Sequence, residues 1–162
     1  MALNAFLACK GETQGDIKGS CDINPHEDKI EVWGFSHEVV SPRDAASHAP
    51  TGKRQHKPFT ITKPVDKSSP LLMNVLVNNE RVTEWKLQIY RPSPTGSEEE
   101  YYNIELADAS IASIRQESLN NKYPENMAHP YREHISFTYQ KITWTWMDGG
   151  VTSVDEWKVQ RS

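Results

Sequence analysis

Apolar and polar residues alternate with a period of two through most of this chain, and that alternation limits what it can fold into. Successive side chains of a strand point to opposite faces of a sheet, so a chain patterned this way must bury one face of each strand. Leu3, Ala5, Leu7 and Cys9 share one face of the first segment. In residues 82–91, Trp85, Leu87 and Ile89 point one way while Glu84, Lys86, Gln88 and Tyr90 point the other. Tyr102, Ile104 and Leu106 resume the pattern beyond Pro92-Ser-Pro-Thr-Gly96, so 82–91 and 99–106 read as a hairpin with a longer loop. Ala107-Asp108 is then a short turn into a further strand.

Two segments break phase. Ile135, Phe137 and Tyr139 occupy odd positions, but Ile142, Trp144 and Trp146 occupy even ones. A regular strand would turn the second group to the opposite face. Either a bulge lies near Gln140-Lys141, or the chain passes from one sheet to another there. Ile111 and Ile114 show the same slip. Strands that bend in this way are what a closed or nearly closed barrel requires. One stretch departs from period two: Leu71, Leu72, Val75 and Leu76 share a face at helical spacing. Ser69 is placed to cap the first turn, Pro70 suits it, and Asn78 or Asn79 suits a left-handed end. A helix this short does not persist alone, so it must pack on the sheets.

Residues 41–58 have no period. They hold Pro42, Pro50, Gly52 and Pro58 with Arg43, Lys53, Arg54 and Lys57, and Asp44 is their one acid. A structureless run of this length in a compact domain is commonly functional or disordered. The expectation is an extended arm that docks on a neighbouring subunit. The expected fold is therefore mainly β: a two-sheet antiparallel β-barrel with one short α-helix (about 69–78) and a long extended arm (about 41–58).

At 162 residues the chain fits a single domain, 1–162. Its net charge of -4 argues against nucleic acid or an anionic membrane as the main partner, and no apolar run approaches a membrane span. The start, Met1 to Lys10, lacks a basic leader region and is interrupted by Asn4, so no signal peptide is expected. Cys9 and Cys21 read as free thiols of a chain folded in the cytoplasm.

Three stretches resemble the Hcp family of type VI secretion systems. They are Gly15-Asp-Ile-Lys-Gly-Ser20; His56-Lys-Pro-Phe-Thr-Ile-Thr-Lys63 running on to Asp66-Lys-Ser-Ser-Pro-Leu71; and Phe137-Thr-Tyr-Gln-Lys-Ile-Thr-Trp-Thr-Trp146, followed by Asp148-Gly149-Gly150 and Asp155-Glu-Trp157. They occur in the family's order and spacing, and the Tyr-x-Lys-Ile-Thr-Trp string is the most specific. The resemblance implies a β-barrel subunit of an inner tube. Six copies form a ring, rings stack inside a contractile sheath capped by a spike, and effector proteins ride in the lumen and leave with the tube. It implies a cytoplasmic protein that the machine exports, with no cofactor and no catalysis.

A ring contact between identical subunits is heterologous and needs two complementary patches. Arg43, Lys53, Arg54, His56 and Lys57 are the expected subunit and ring-stacking contacts. Their expected partners are Glu98-Glu-Glu100 or Asp148, Asp155 and Glu156 of a neighbour. Gly19, Ser20, Asp22 and Ser36 are the expected lumen positions.

Other chemistries find little support. The six histidines show no His-Glu-x-x-His spacing, and there is no Gly-x-Ser-x-Gly, phosphate loop or dinucleotide fingerprint. No catalytic, cofactor or metal residue is assigned. Trp85, Trp144 and Trp146 read as core, with Trp33 less certain. Were the tryptophans a platform instead, the rival would be a monomeric β-sandwich carbohydrate-binding module.

Overall fold

The protein, seen in a computed structural model, is described over residues 3–157. The main sheet contains β1 (Ala5–Gly11), β2 (Gly15–Ile17), β3 (Ile30–Val32), β8 (Val82–Pro92), β9 (Glu98–Ala107), β12 (Lys141–Trp146) and β13 (Val151–Glu156). The second contains β4 (Gly34–Ser36), β7 (Phe59–Pro64), β10 (Ser110–Glu117) and β11 (Arg132–Thr138). A small hairpin, β5 (Val39–Val40) with β6 (Gln55–His56), stands apart, and α1 spans Ser68–Val77. The main sheet runs β13-β12-β9-β8-β1-β2, with β3 also pairing β1, and the second runs β10-β11-β7-β4. Every strand pair is antiparallel.

Both phase breaks have a structural cause. Between β11 and β12 the chain leaves the second sheet for the first, so the odd and even apolar sets face the same interior. Near Ile111 the register of β10 against β11 shifts between Ile111 and Ser113, a bulge that re-aims Ile114. The barrel is stitched at corners rather than closed by one continuous ladder: Val82 N–H donates to Ala109 O (2.9 Å) and Trp33 N–H to Thr62 O (2.8 Å).

Between the sheets lies one core. Trp85 meets Phe59 and Phe137 edge-on at centroid distances of 5.0 and 5.5 Å. Leu7, Leu87, Ile104, Leu106, Ile135 and Ile142 fill the space around them. Burying each such side chain contributes about 1.5–3 kcal/mol. Trp144 is partly buried against this core, but Trp146 is 40% exposed, which corrects its placement in the interior. It is the last residue of β12.

The helix buries Leu72 and Val75 and packs against β10 and β2, closing a side of the structure, while Leu71 stays exposed. Its start differs from the expected Ser69 cap. Asp66 Oδ1 accepts the Ser68 N–H (2.9 Å), and Ser69 Oγ accepts the Asp66 N–H (2.9 Å) in return. Ser69 already lies inside the first turn, so its hydroxyl reaches back and inward. The end is as expected: Asn79 is left-handed (φ 52°), with Asn79 N–H to Leu76 O and Glu80 N–H to Val75 O, a Schellman pair.

Candidate assembly surface

Residues 39–56 form a projecting hairpin rather than a single extended strand. Val39 and Val40 pair with His56 and Gln55, and Arg43 bridges Pro50 further out. At the tip Asp44 accepts hydrogen bonds from Ser47 N–H (2.7 Å) and Ser47 Oγ (2.8 Å), closing the turn. Among the described residues, no hydrogen bond or ion pair joins 41–53 to the sheets. Arg43, Lys53 and Lys57 are exposed.

The base of the hairpin is held differently. One hydroxyl, Tyr139 Oη, sits 2.6 Å from His37 Nε2 and 2.8 Å from His56 Nδ1. His37 precedes β5 and His56 lies in β6, so both legs are pinned to the same atom. His56 Nε2 is 2.7 Å from Asp155 Oδ2 on β13, and Trp157 stacks on the His56 ring at 5.1 Å. Arg54 donates to both oxygens of Asp155 and to Glu156 O (2.8 Å). Those Arg54 hydrogen bonds hold the Asp155 carboxyl below its usual range against the effect of burial, with help from His56. Burial, aided by the Asp155 charge, pushes the Tyr139 phenol well above its usual value. Burial, and then the nearby His56, lowers His37.

Arg54 and His56 thus have an acid within their own chain. Asp155 had been expected on a neighbour, and this internal pairing corrects that partner assignment. What remains outward-facing is the tip. At the opposite end of the chain's long hairpin lies a hollow of about 340 Å³ lined by Arg91, Glu99, Glu100, Tyr101, Met147 and Asp148. Trp146 meets Tyr101 edge-on at 5.7 Å, and Arg91 lies over both rings. Three carboxylates against one guanidinium leave the hollow net acidic. All three members of the acidic run have partners in their own chain: Glu98 is held by His26 and Asn4, Glu99 by Arg91, and Glu100 by Gln88 and Asn103.

The expected lumen positions separate. Gly19 is buried, and a Cβ there would sit 2.4 Å from Lys29 O and 2.7 Å from Ile30 Cα. It therefore serves backbone packing and presents no side chain. Ser20 is exposed, but its N–H donates to Asp66 and its Oγ accepts from Lys67 N–H, fastening this turn to the helix start. Asp22 and Ser36 are exposed.

The quoted motifs now have physical content. Gly19 and Ser20 fit the first turn to α1. Lys63 and Ser69 of the second string meet Glu133 in the interior, with Asp66 at the same ammonium. Tyr139 of the third is the hub of the hairpin base. The tryptophans do not gather in one place: Trp85 is core, Trp144 is partly covered, Trp146 is overlaid by Arg91, Trp157 stacks on His56, and Trp33 is exposed. Cys9 and Cys21 are free, and burial pushes the Cys9 thiol up to about 12.

These features describe a two-sheet β protein with a cationic hairpin at one place and an acidic hollow rimmed by aromatic rings at another. Residues 6–146 match the family model described as "Type VI secretion system effector, Hcp". The chain belongs to the Hcp family. It is 41% identical to the "Major exported protein" of Pseudomonas aeruginosa over 98% of this chain and 97% of that one. Among solved structures it resembles one titled "Crystal structure of Hcp protein" (TM-score 0.91, 31% identity, 98% of this chain and 100% of the other). It also resembles "Secreted protein Hcp3" from Pseudomonas aeruginosa (TM-score 0.80, 35% identity, 98% and 100%). No helix among the described residues is long and apolar enough to cross a membrane.

Proposed function

We propose that this chain is the structural subunit of a type VI secretion inner tube. Six copies close into a ring, rings stack into a tube within the sheath behind the spike, and effector proteins are carried in the lumen and released with it. The subunit is made in the cytoplasm, leaves through the machine, and performs no catalysis.

The observation that carries this reading is the pairing of two mismatched surfaces on one chain. The hairpin tip projects Arg43 and Lys53 without any tie to its own sheets. The hollow around Glu99, Glu100 and Asp148 is acidic and rimmed by aromatic rings. Heterologous joining of one to the other on successive copies is what a closed ring or a stacked tube demands. Charge complementarity of this kind sets register and partner choice more than strength. The open edge of β13, with Val151 and Val154 exposed, offers a further apolar contact. Ser20 and Asp22, beside Gly19, and Ser36 on β4 are the proposed lumen positions, where six repeats of a weak site would hold cargo by multivalency.

Negative-stain electron microscopy of the purified protein tests this. Rings with an open centre support the reading, and a field of small solid particles at every concentration refutes it.

A further inference from the structure

The base of the hairpin contains a hydrogen-bond chain that runs in one direction. Asp155 is ionised, so His56 must donate to it through Nε2–H. With His56 neutral, its Nδ1 carries a lone pair and accepts from the Tyr139 hydroxyl. Tyr139 Oη then accepts from His37 Nε2–H. Every donor is satisfied with both imidazoles neutral.

The relay tolerates a proton on either ring alone. A charged His37 goes on donating Nε2–H to Tyr139 Oη, and a charged His56 donates Nδ1–H to that oxygen while the hydroxyl turns to the Nε2 lone pair of His37 in its other tautomer. Charging both rings has no such escape. Two N–H groups then face one hydroxyl whose own hydrogen has lost its acceptor, and two imidazolium rings stand 6.5 Å apart. A buried donor without an acceptor keeps the full cost of its desolvation.

We propose that this relay is a proton-counting latch: it holds both legs of the hairpin to Tyr139 while at most one ring is charged and lets them go when His37 and His56 both carry a proton. The consequence for ring assembly rests on the tube-subunit reading above; the latch itself does not. The groups facing His37 are Tyr139 from the crossover between the sheets, His56 from β6, Phe59 from β7 and Trp144 from β12. Around His56 the charged groups are Asp155 of β13 and Arg54. Neither places a carboxylate within bonding distance of His37 among the described residues, so an imidazolium there gains no counter-ion. The lowered His37 value agrees with this placement. Since the group is lowered in the folded state, its contribution is complete above the ordinary histidine value of 6.5 and is lost as pH falls below it.

Hydrogen–deuterium exchange of the full chain at pH 7.5 and 5.0, corrected for intrinsic rates, tests the latch. Amides of residues 37–57 are expected to exchange several-fold faster at pH 5.0 than at pH 7.5. Those of β8 and β11 should hold their protection. His37→Gln keeps a donor toward Tyr139 but cannot titrate, so its hairpin exchange should not change with pH. Tyr139→Phe removes the hub, and its hairpin should exchange fast at both pH values. Hairpin exchange in the native protein that does not change with pH overturns the proposal, as does an unaltered pH response in His37→Gln. The same samples are weighed by light scattering at pH 7.5. Absence of rings there counts against the tube reading alone, while the exchange data still judge the latch.

Discussion

Lys63 and Glu133 face each other across β7 and β11 as direct register partners, with Lys63 Nζ 2.5 Å from Glu133 Oε1 and both side chains shut away from solvent. The ammonium also reaches Pro64 O, Asp66 and Ser69, while Gln116 donates to the second Glu133 oxygen. This network clamps the start of α1 to the second sheet. Breaking one partner of a buried, hydrogen-bonded pair leaves an uncompensated charge and costs about 3–5 kcal/mol. Lys63→Met and Glu133→Leu should each lower the urea midpoint by that equivalent at unchanged slope. The double variant should lose clearly less than the sum of the two.

Gly19 is the position where a single methyl group should matter. Its Cβ would lie 2.4 Å from backbone Lys29 O, a contact that requires the chain to move. Gly19→Ala should destabilise by about 1–3 kcal/mol, the range for overpacking. Gly52→Ala, where a Cβ meets nothing within 4 Å, is the matched control and should be within about 0.5 kcal/mol of the parent. Denaturant titration of both reads the difference.

Charge reversal separates the hairpin tip from its base. Arg43→Glu with Lys53→Glu touches no internal bond, so the thermal midpoint should stay put while the assembled fraction by size-exclusion chromatography falls. Adding Asp148→Lys should restore assembly if tip and hollow meet across copies. Arg54→Glu should behave differently, because it places a second carboxylate against Asp155 and loosens the hairpin base within the monomer.

Acid should attack two specific carboxylates. For Asp66, burial opposes ionisation, but the Ser68 hydroxyl, the Lys63 ammonium and the Ser20 N–H outweigh it, and its value is lowered. Asp155 is lowered chiefly by Arg54. A carboxylate lowered in the folded state contributes stability above its ordinary value of 3.8, and that contribution is lost as pH falls through the folded value. Urea midpoints should therefore drop steeply below about pH 4. Asp155→Asn should flatten part of that drop, its loss already present at pH 7. The His37 latch acts in a separate window, below 6.5.

Much of the architecture can be read from alternation. The hairpin of 82–91 and 99–106 and the helix can be read there, and so can a slip at Ile111 and another near Gln140-Lys141. Alternation leaves open whether each is a bulge or a passage between sheets. The fold puts a bulge at the first and a change of sheet at the second. The Lys63–Glu133 clamp left a trace too: Lys63 continues the inward series of Phe59 and Ile61, and Glu133 that of Ile135 and Phe137. Two opposite charges in phase with core positions signal a buried pair, but pairing them requires knowing that β7 neighbours β11. The hairpin legs escaped because strands of two residues carry no measurable period. Joining His37, His56, Tyr139 and Asp155 at one place depends on contacts about a hundred residues apart, which local pattern does not encode. The pairing of Arg54 with Asp155 in its own chain is hidden from sequence for the same reason.

Native mass spectrometry of the purified chain near neutral pH addresses the central claim most directly. The account predicts a dominant species of six times the chain mass that shrinks when Arg43 and Lys53 carry reversed charges. A single-chain species that persists from micromolar to millimolar protein would contradict it.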